Sequence, residues 1–125
     1  MTVTMLTTLL GWDVRNPKDD PPSSYVQSGV WPNARLVPDA PPTAHIGQAL
    51  ARSLLLAIEE QNLSVRAAAR KAGTTHPTLL RILDGTGLVD VRTVFLLEVA
   101  LQAPLWPTDL FRNFALDIRP PEGQK

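Results

Sequence analysis

The sequence predicts an all-α protein: a five-helix domain over residues 44–118, behind an extended proline-rich N-terminal arm over 1–43 and ahead of a short C-terminal tail over 119–125. Three observations carry this reading. Residues 63–85 read LSVRAAARKAGTTHPTLLRILDG, two short amphipathic helices around a glycine. Helix start and stop signals recur on both sides of that stretch. Seven of the twelve prolines fall within residues 16–42, a density that folds no helix interior.

The arm comes first. Pro17, Pro21, Pro22, Pro32, Pro38, Pro41 and Pro42 exclude helix interiors and central strands, so residues 13–42 are expected to be extended or irregular. Too few apolar residues lie between them to build a second core. Ahead of them, Thr2 to Trp12 is apolar enough for a short strand or helical turn. Tyr25, Val26, Val30 and Trp31 are apolar anchors in polar surroundings. Two readings stay open: a partly disordered leader, or an arm that docks Trp12, Tyr25 and Trp31 on the helices, on a second subunit or on another protein.

The helices follow in order. Thr43, after Pro42, is a candidate N-cap for a first helix running to about Gln61, with Leu50, Leu54, Ala57 and Ile58 on one face. Ser64 is a good N-cap for a second helix to about Ala72, in which Ala67, Ala68 and Ala69 let a neighbour approach closely. We expect the tightest approach at Ala69. Gly73 suits the left-handed conformation that ends a helix, and Thr74, Thr75 and His76 supply a turn. The third helix carries Leu79, Ile82 and Leu83 at i, i+3, i+4 and closes at Asp84-Gly85. Pro77 disfavours helical backbone at His76, so the helix is expected to start late with His76 as its cap. Asp90 caps a fourth helix from Val91 to about Gln102. Pro104 and Pro107 bound a turn before a last helix around Thr108 to Phe114, and RPPEG at 119–123 reads as a frayed tail.

Composition narrows the functional classes. The chain has no cysteine, which excludes disulfides and thiolate metal sites, and His45 with His76 alone does not assemble a zinc site; no metal or other cofactor is expected. No run reaches the ~18 apolar residues of a membrane span, and the N-terminal MTVTMLTTLLGW lacks a basic n-region, so a cytoplasmic protein without membrane contact is expected. No paired carboxylates, nucleophile with base, or phosphate loop can be placed on a common site, so an enzyme is not expected. Net charge is zero, from 12 basic and 12 acidic residues. Within residues 63–85, however, Arg66, Arg70, Lys71 and Arg81 oppose Asp84 alone, a net of +3, while residues 1–43 carry three basic against four acidic groups, a net of −1.

Ala69, Gly73, Leu79, Ile82 and Gly85 resemble the framework of the Xre family, the Cro and phage-repressor type of helix-turn-helix protein. The likeness extends upstream through Leu50, Leu54, Ala57, Ile58 and Asn62-Leu63-Ser64, and downstream through Val94, Phe95, Leu97, Ala100, Leu101 and APLW at 103–106, covering roughly residues 44–115. It implies a lambda-repressor-like fold and recognition of double-stranded DNA. By position, the base-reading residues it implies are Thr75, His76, Pro77, Thr78 and Arg81. Arg81 can pair bidentately with guanine O6 and N7, or act as a phosphate clamp or a solvated arginine; a capping role competes for Thr75, and a solvated position for Thr78. Ser64, Arg66 and Arg70 are the implied phosphate contacts, with a solvated face as the alternative for Arg70 and Lys71. Val65 stands where the family often has a phosphate-binding glutamine, so one contact is lost.

Three apolar residues stand where the resemblance implies polar ones: Leu80, Leu96 and Val99. Exposed apolar clusters usually mark a covered surface, and Leu96 with Val99 could meet the arm or a second subunit, while Leu80 could touch a thymine methyl. Glu98 replaces a small buried residue and is expected to pair with an arginine. Two functions compete. The first is a sequence-specific transcriptional regulator, bacterial or from a phage, repressing as a homodimer on a two-fold operator and fitting an immunity repressor. The second is an antitoxin or anti-repressor whose N-terminal arm binds a protein partner.

Overall fold

The computed structural model describes residues 19–114. Asp20–Pro107 forms one compact unit, and Thr108 onward belongs to another. The first unit holds four α-helices, α1 (Pro42–Glu60), α2 (Val65–Ala72), α3 (His76–Asp84) and α4 (Val91–Leu101). A 3-10 helix (Pro22–Tyr25) and a two-stranded antiparallel sheet of β1 (Val26–Ser28) and β2 (Arg35–Leu36) precede them. The expected N-terminal segment Thr2 to Trp12 and the tail 119–125 lie outside the described residues. No helix among those described is long and apolar enough to cross a membrane.

Local chemistry accounts for the helix ends. Thr43 is not the cap: behind the N-cap Pro41, Pro42 is itself the first helical residue. Its fixed φ suits that position and its missing N–H would have had no helical partner there. Ser64 caps α2, its Oγ accepting the Ala67 N–H at 3.0 Å, and Asp90 Oδ1 caps α4 by accepting the Thr93 N–H at 2.7 Å. Gly73 and Gly85 are both left-handed with φ of 71°. At each, the chain closes with a six-to-one bond, Thr74 N–H to Ala69 O at 2.9 Å and Thr86 N–H to Arg81 O at 3.1 Å. Asn62 takes the same region (φ 53°) between α1 and α2, a conformation its short polar side chain tolerates.

The start of α3 corrects the sequence reading. Thr75, not His76, is the N-cap, and His76 is already helical. Proline at the second position of α3 removes an N–H that the helix would leave unpaired, while the Thr75 hydroxyl accepts the Thr78 N–H at 3.3 Å. The cap therefore outweighs the restriction that Pro77 places on His76. The last expected helix is also different. Residues Leu110–Asn113 make a single 3-10 turn with no side-chain cap, in which the eclipsed i, i+3 pair Arg112 and Asp109 meet at 3.3 Å.

One core serves all four helices. Leu54 of α1, Leu79 of α3, and Leu97 and Leu101 of α4 are its largest fully buried side chains, and α2 contributes Ala68, Ala69 and Ala72. The helix α2 packs against both α3 and α4, and α1 packs against α3. Gln61 ties the ends of α1 and α4 together, its Nε2 donating to Leu101 O at 2.6 Å.

From Asp20 onward the proline-rich segment is built onto these helices, with the Trp31–Pro32 peptide cis. Both strands of its sheet are edge strands of two or three residues and neither contains a proline, so the ladder keeps its donors. Val26 pairs with Leu36 and Ser28 with Arg35 across a bulge. Gln48, buried in α1, donates from Nε2 to Ala34 O at 2.6 Å and Pro32 O at 2.9 Å, and Arg52 Nε donates to Pro32 O at 3.0 Å. Two glycines accept the segment. A Cβ at Gly47 would lie 2.6 Å from Pro22 Cγ, and one at Gly85 would run into the Trp31 indole. The Ser23 N–H also donates to Gly85 O at 2.9 Å.

Among the described residues Glu98 pairs with no arginine. Its Oε2 accepts the backbone N–H groups of Leu105 (2.8 Å) and Trp106 (3.0 Å), fixing the turn after left-handed Gln102. Those bonds, Trp106 first, hold its carboxyl below the ordinary value of 4.5.

Two stability predictions follow from these contacts. Gly73 and Gly85 share one φ, but only Gly85 is covered; Gly73→Ala should cost about 1 kcal/mol for the left-handed backbone, and Gly85→Ala at least about 2 kcal/mol more as Trp31 is displaced. Urea denaturation of both variants checks this, and equal losses would refute the Trp31 contact. Glu98→Ala should cost about 1 kcal/mol at neutral pH. Because the folded carboxyl titrates below its unfolded value, that contribution is complete above the unfolded pKa and is lost as the pH falls through the folded one. The stability gap to wild type should accordingly be flat at neutral pH and close below pH 4.5; a gap unchanged into acid would show that the carboxylate charge plays no part.

Candidate nucleic-acid interface

Helices α2 and α3 are joined by Gly73, Thr74 and Thr75, and the helical repeat divides each into a buried and an exposed face. On α2, Ala68, Ala69 and Ala72 are buried while Arg66 and Arg70, one turn apart, are exposed. On α3, Leu79 and Ile82 are buried and Leu83 is half-buried. Pro77, Leu80, Arg81 and Asp84 are exposed, at the i, i+3, i+4, i+7 spacing of one stripe. His76 and Thr78 are half-buried at its margins.

Electrostatically this surface is positive. Among the described residues, Arg66, Arg70, Lys71 and Arg81 form no ion pair; the short pair recorded there, Arg112 with Asp109, lies elsewhere in the chain. Their guanidinium and ammonium groups are therefore available to an anion, and exposed cations of this kind set up the field that attracts one. Asp84 is the one acid on the α3 stripe. Sequence reasoning placed it in a closing turn, although its i+3 spacing from Arg81 and i+7 spacing from Pro77 already put it on this face.

The polar residues divide by what they already bind. Thr75 Oγ1 accepts the Thr78 N–H and lies 2.8 Å from Thr78 Oγ1, so the two hydroxyls satisfy each other as they start the helix. Ser64 Oγ accepts the Ala67 N–H, which leaves its proton free to donate, since a hydroxyl carries one donor and two lone pairs. Arg81 lies beside Gly87, where a Cβ would be 3.7 Å from its Cδ. The structure thus brings Ser64, Arg66, Arg70, Thr75, Pro77, Thr78 and Arg81 onto one helix pair, with Thr75 committed to capping.

The apolar candidates separate. Leu80 is exposed on the α3 stripe. Leu96 is half-buried and Val99, one turn on, is exposed; Val99 also lies at i, i+4, i+8 with Phe95 and Val91 along α4. Tyr25 and Trp31 pack with Val26 and Val37 around Leu36, Ala40 and Ala44, so both are docked on the chain's own helices. Trp12 lies outside the described residues. No group of three or more His, Asp or Glu among those described could hold a metal.

Comparison with models of known families, with curated proteins and with solved structures finds no match in any of the three.

Because the cap is structural and the cations are unpaired, their substitutions should behave differently. Thr75→Ala is expected to cost about 1 kcal/mol, and Arg66→Ala, Arg70→Ala and Arg81→Ala each to stay within about 0.5 kcal/mol of wild type. Thermal unfolding without ligand reads both, and a large loss at any of the three arginines would mean it is structural.

Proposed function

We propose that this protein is a sequence-specific DNA-binding transcriptional regulator, with α2 and α3 acting as a helix-turn-helix of the lambda-repressor-like kind. The observation that carries the proposal is the unpaired cationic surface of Arg66, Arg70 and Arg81 on two helices joined at left-handed Gly73. Helix α3 enters the major groove by its N-terminal half. Arg81 reads a base edge, for which guanine O6 and N7 offer the matching pair of acceptors. Arg66, Arg70 and the Ser64 hydroxyl contact phosphates at the start of α2. In the lambda-repressor-like reading α1 to α4 fill the first four helical places, and the 3-10 turn Leu110–Asn113 stands in the fifth.

A neutral chain gains little from bulk attraction to DNA. Useful affinity therefore requires two copies on paired half-sites about 34 Å apart, and binding there represses by excluding polymerase. The protein acts by binding rather than by catalysis. A protein-binding arm is the weaker alternative, because Tyr25 and Trp31 are committed to packing inside the chain.

Selection of binding sites from random duplex DNA tests this. Enrichment of a two-fold motif is expected, and Arg81→Ala should relax one base position in each half-site, at a cost of about 1–3 kcal/mol there. Uniform weakening across all positions would make Arg81 a phosphate contact instead. Failure to enrich any motif at low salt would refute the regulator reading.

A further inference from the structure

Among the described residues, α4 carries an exposed apolar stripe. Val91, Phe95 and Val99 are 82 %, 62 % and 49 % exposed, and Trp106, 46 % exposed, stands beside them. Val91, Val94, Phe95, Glu98 and Trp106 line an open recess of about 280 Å³. Its wall is held in place by the Glu98 carboxylate, which binds the Trp106 N–H.

We propose that this face is the contact between two copies of the chain, packed antiparallel through α4 about a two-fold axis at Phe95. Two observations favour a second copy over another partner. The stripe is palindromic: Val91 and Val99 lie four residues either side of Phe95, so a two-fold axis there sets Phe95 against Phe95 and Val91 of each copy against Val99 of the other. An interface of this kind must be self-complementary in just that way, a condition no unrelated partner imposes. The area also suffices. The four side chains expose on the order of 400 Å² of apolar surface, so a pair buries roughly 800 Å² from these residues alone, the apolar centre of an interface of about 1,200–2,000 Å². The recess beside Trp106 receives the aromatic ring of the opposing copy.

The proposal deepens the regulator reading, which needs two copies, yet it is testable without DNA. The full-length chain contains no cysteine, so single cysteines report cleanly. Val91→Cys and Val99→Cys chains mixed in equal amounts should form a disulfide-linked dimer under mild oxidation. Neither variant alone should do so, because like positions lie about 12 Å apart along the helix axis in this register. Phe95→Glu, at an exposed position, should keep the helical circular dichroism of wild type and weaken the dimer at least about 30-fold in analytical ultracentrifugation.

A wild-type chain that stays monomeric at tens of micromolar overturns the proposal; so would a monomer whose own residues 1–18 or 115–125 cover this face. Cross-linking of Val91→Cys alone as efficiently as the mixture overturns the antiparallel register. A dimer that cross-links as expected but binds no DNA sustains this interface and refutes the regulator reading. A sequence-specific DNA binder whose dimer is unaffected by Phe95→Glu refutes the interface and leaves that reading standing.

Discussion

Helix α2 fully buries nothing larger than alanine. Ala68, Ala69 and Ala72 are the residues it turns inward, and because they project so little, α3 and α4 can both pack on it closely. The large side chains then come from the neighbours: Leu79 and Leu97 reach complete burial on either side of this small-residue face. A leucine at 68 or 69 would overfill that space and push the helices apart. The same eight-residue helix has only two faces to give. With its inner face taken by alanines, Arg66 and Arg70 fall on the outer one, so the core packing and the positive surface are consequences of one helical period.

The second helix of the pair is held at both ends. At its start the Thr75 hydroxyl binds the Thr78 N–H. At its finish Gly85 is left-handed, and its carbonyl accepts the Ser23 N–H while the Trp31 ring lies over its Cα. That second restraint comes from the proline-rich segment, which is itself anchored through Pro22 on Gly47 and through Gln48 on the carbonyls of Pro32 and Ala34. The segment thus works as a brace. In the proposed DNA-binding role, a helix fixed at both ends would lose little conformational freedom on binding, which is how rigid supports turn a modest number of contacts into affinity and register.

Most of the exposed cations of the helix pair and the exposed valine–phenylalanine stripe lie on different helices. Arg66, Arg70 and Arg81 stand on α2 and α3, and the exposed Val91, Phe95 and Val99 on α4, which also carries the exposed Arg92. Under the proposed function this separation suits a neutral chain, because the proposed association through α4 leaves Arg66, Arg70 and Arg81 of both copies uncovered. Glu98 contributes to the same division. Its carboxylate is occupied by the backbone of the following turn, so it adds no free negative charge to the α4 face while it fixes the position of Trp106.

Much of this was legible in the residues themselves. Ser64 and Asp90 as caps, Gly73 as a left-handed end and Asp84-Gly85 as a closing turn, and the apolar spacing of Leu50, Leu54, Ala57 and Ile58, of Leu79 and Ile82, and of Val94, Leu97 and Leu101 are local signals. They depend on backbone sterics and a helical period that hold in any surroundings, and the structure agrees with each. Where two local rules competed, at Thr75-His76-Pro77, spacing alone did not rank a hydroxyl cap against a proline restriction. What tertiary structure decided was everything that joins residues distant in the chain: Trp31 over Gly85, Gln48 beneath the hairpin, Glu98 binding a turn instead of an arginine, and Phe95 facing solvent. Periodicity says which residues share a face, but not what another segment brings to it. Here the partners of a face are separated by 14 to 16 residues at Gln48 and by 40 at Gln61, and only the packed chain brings them together.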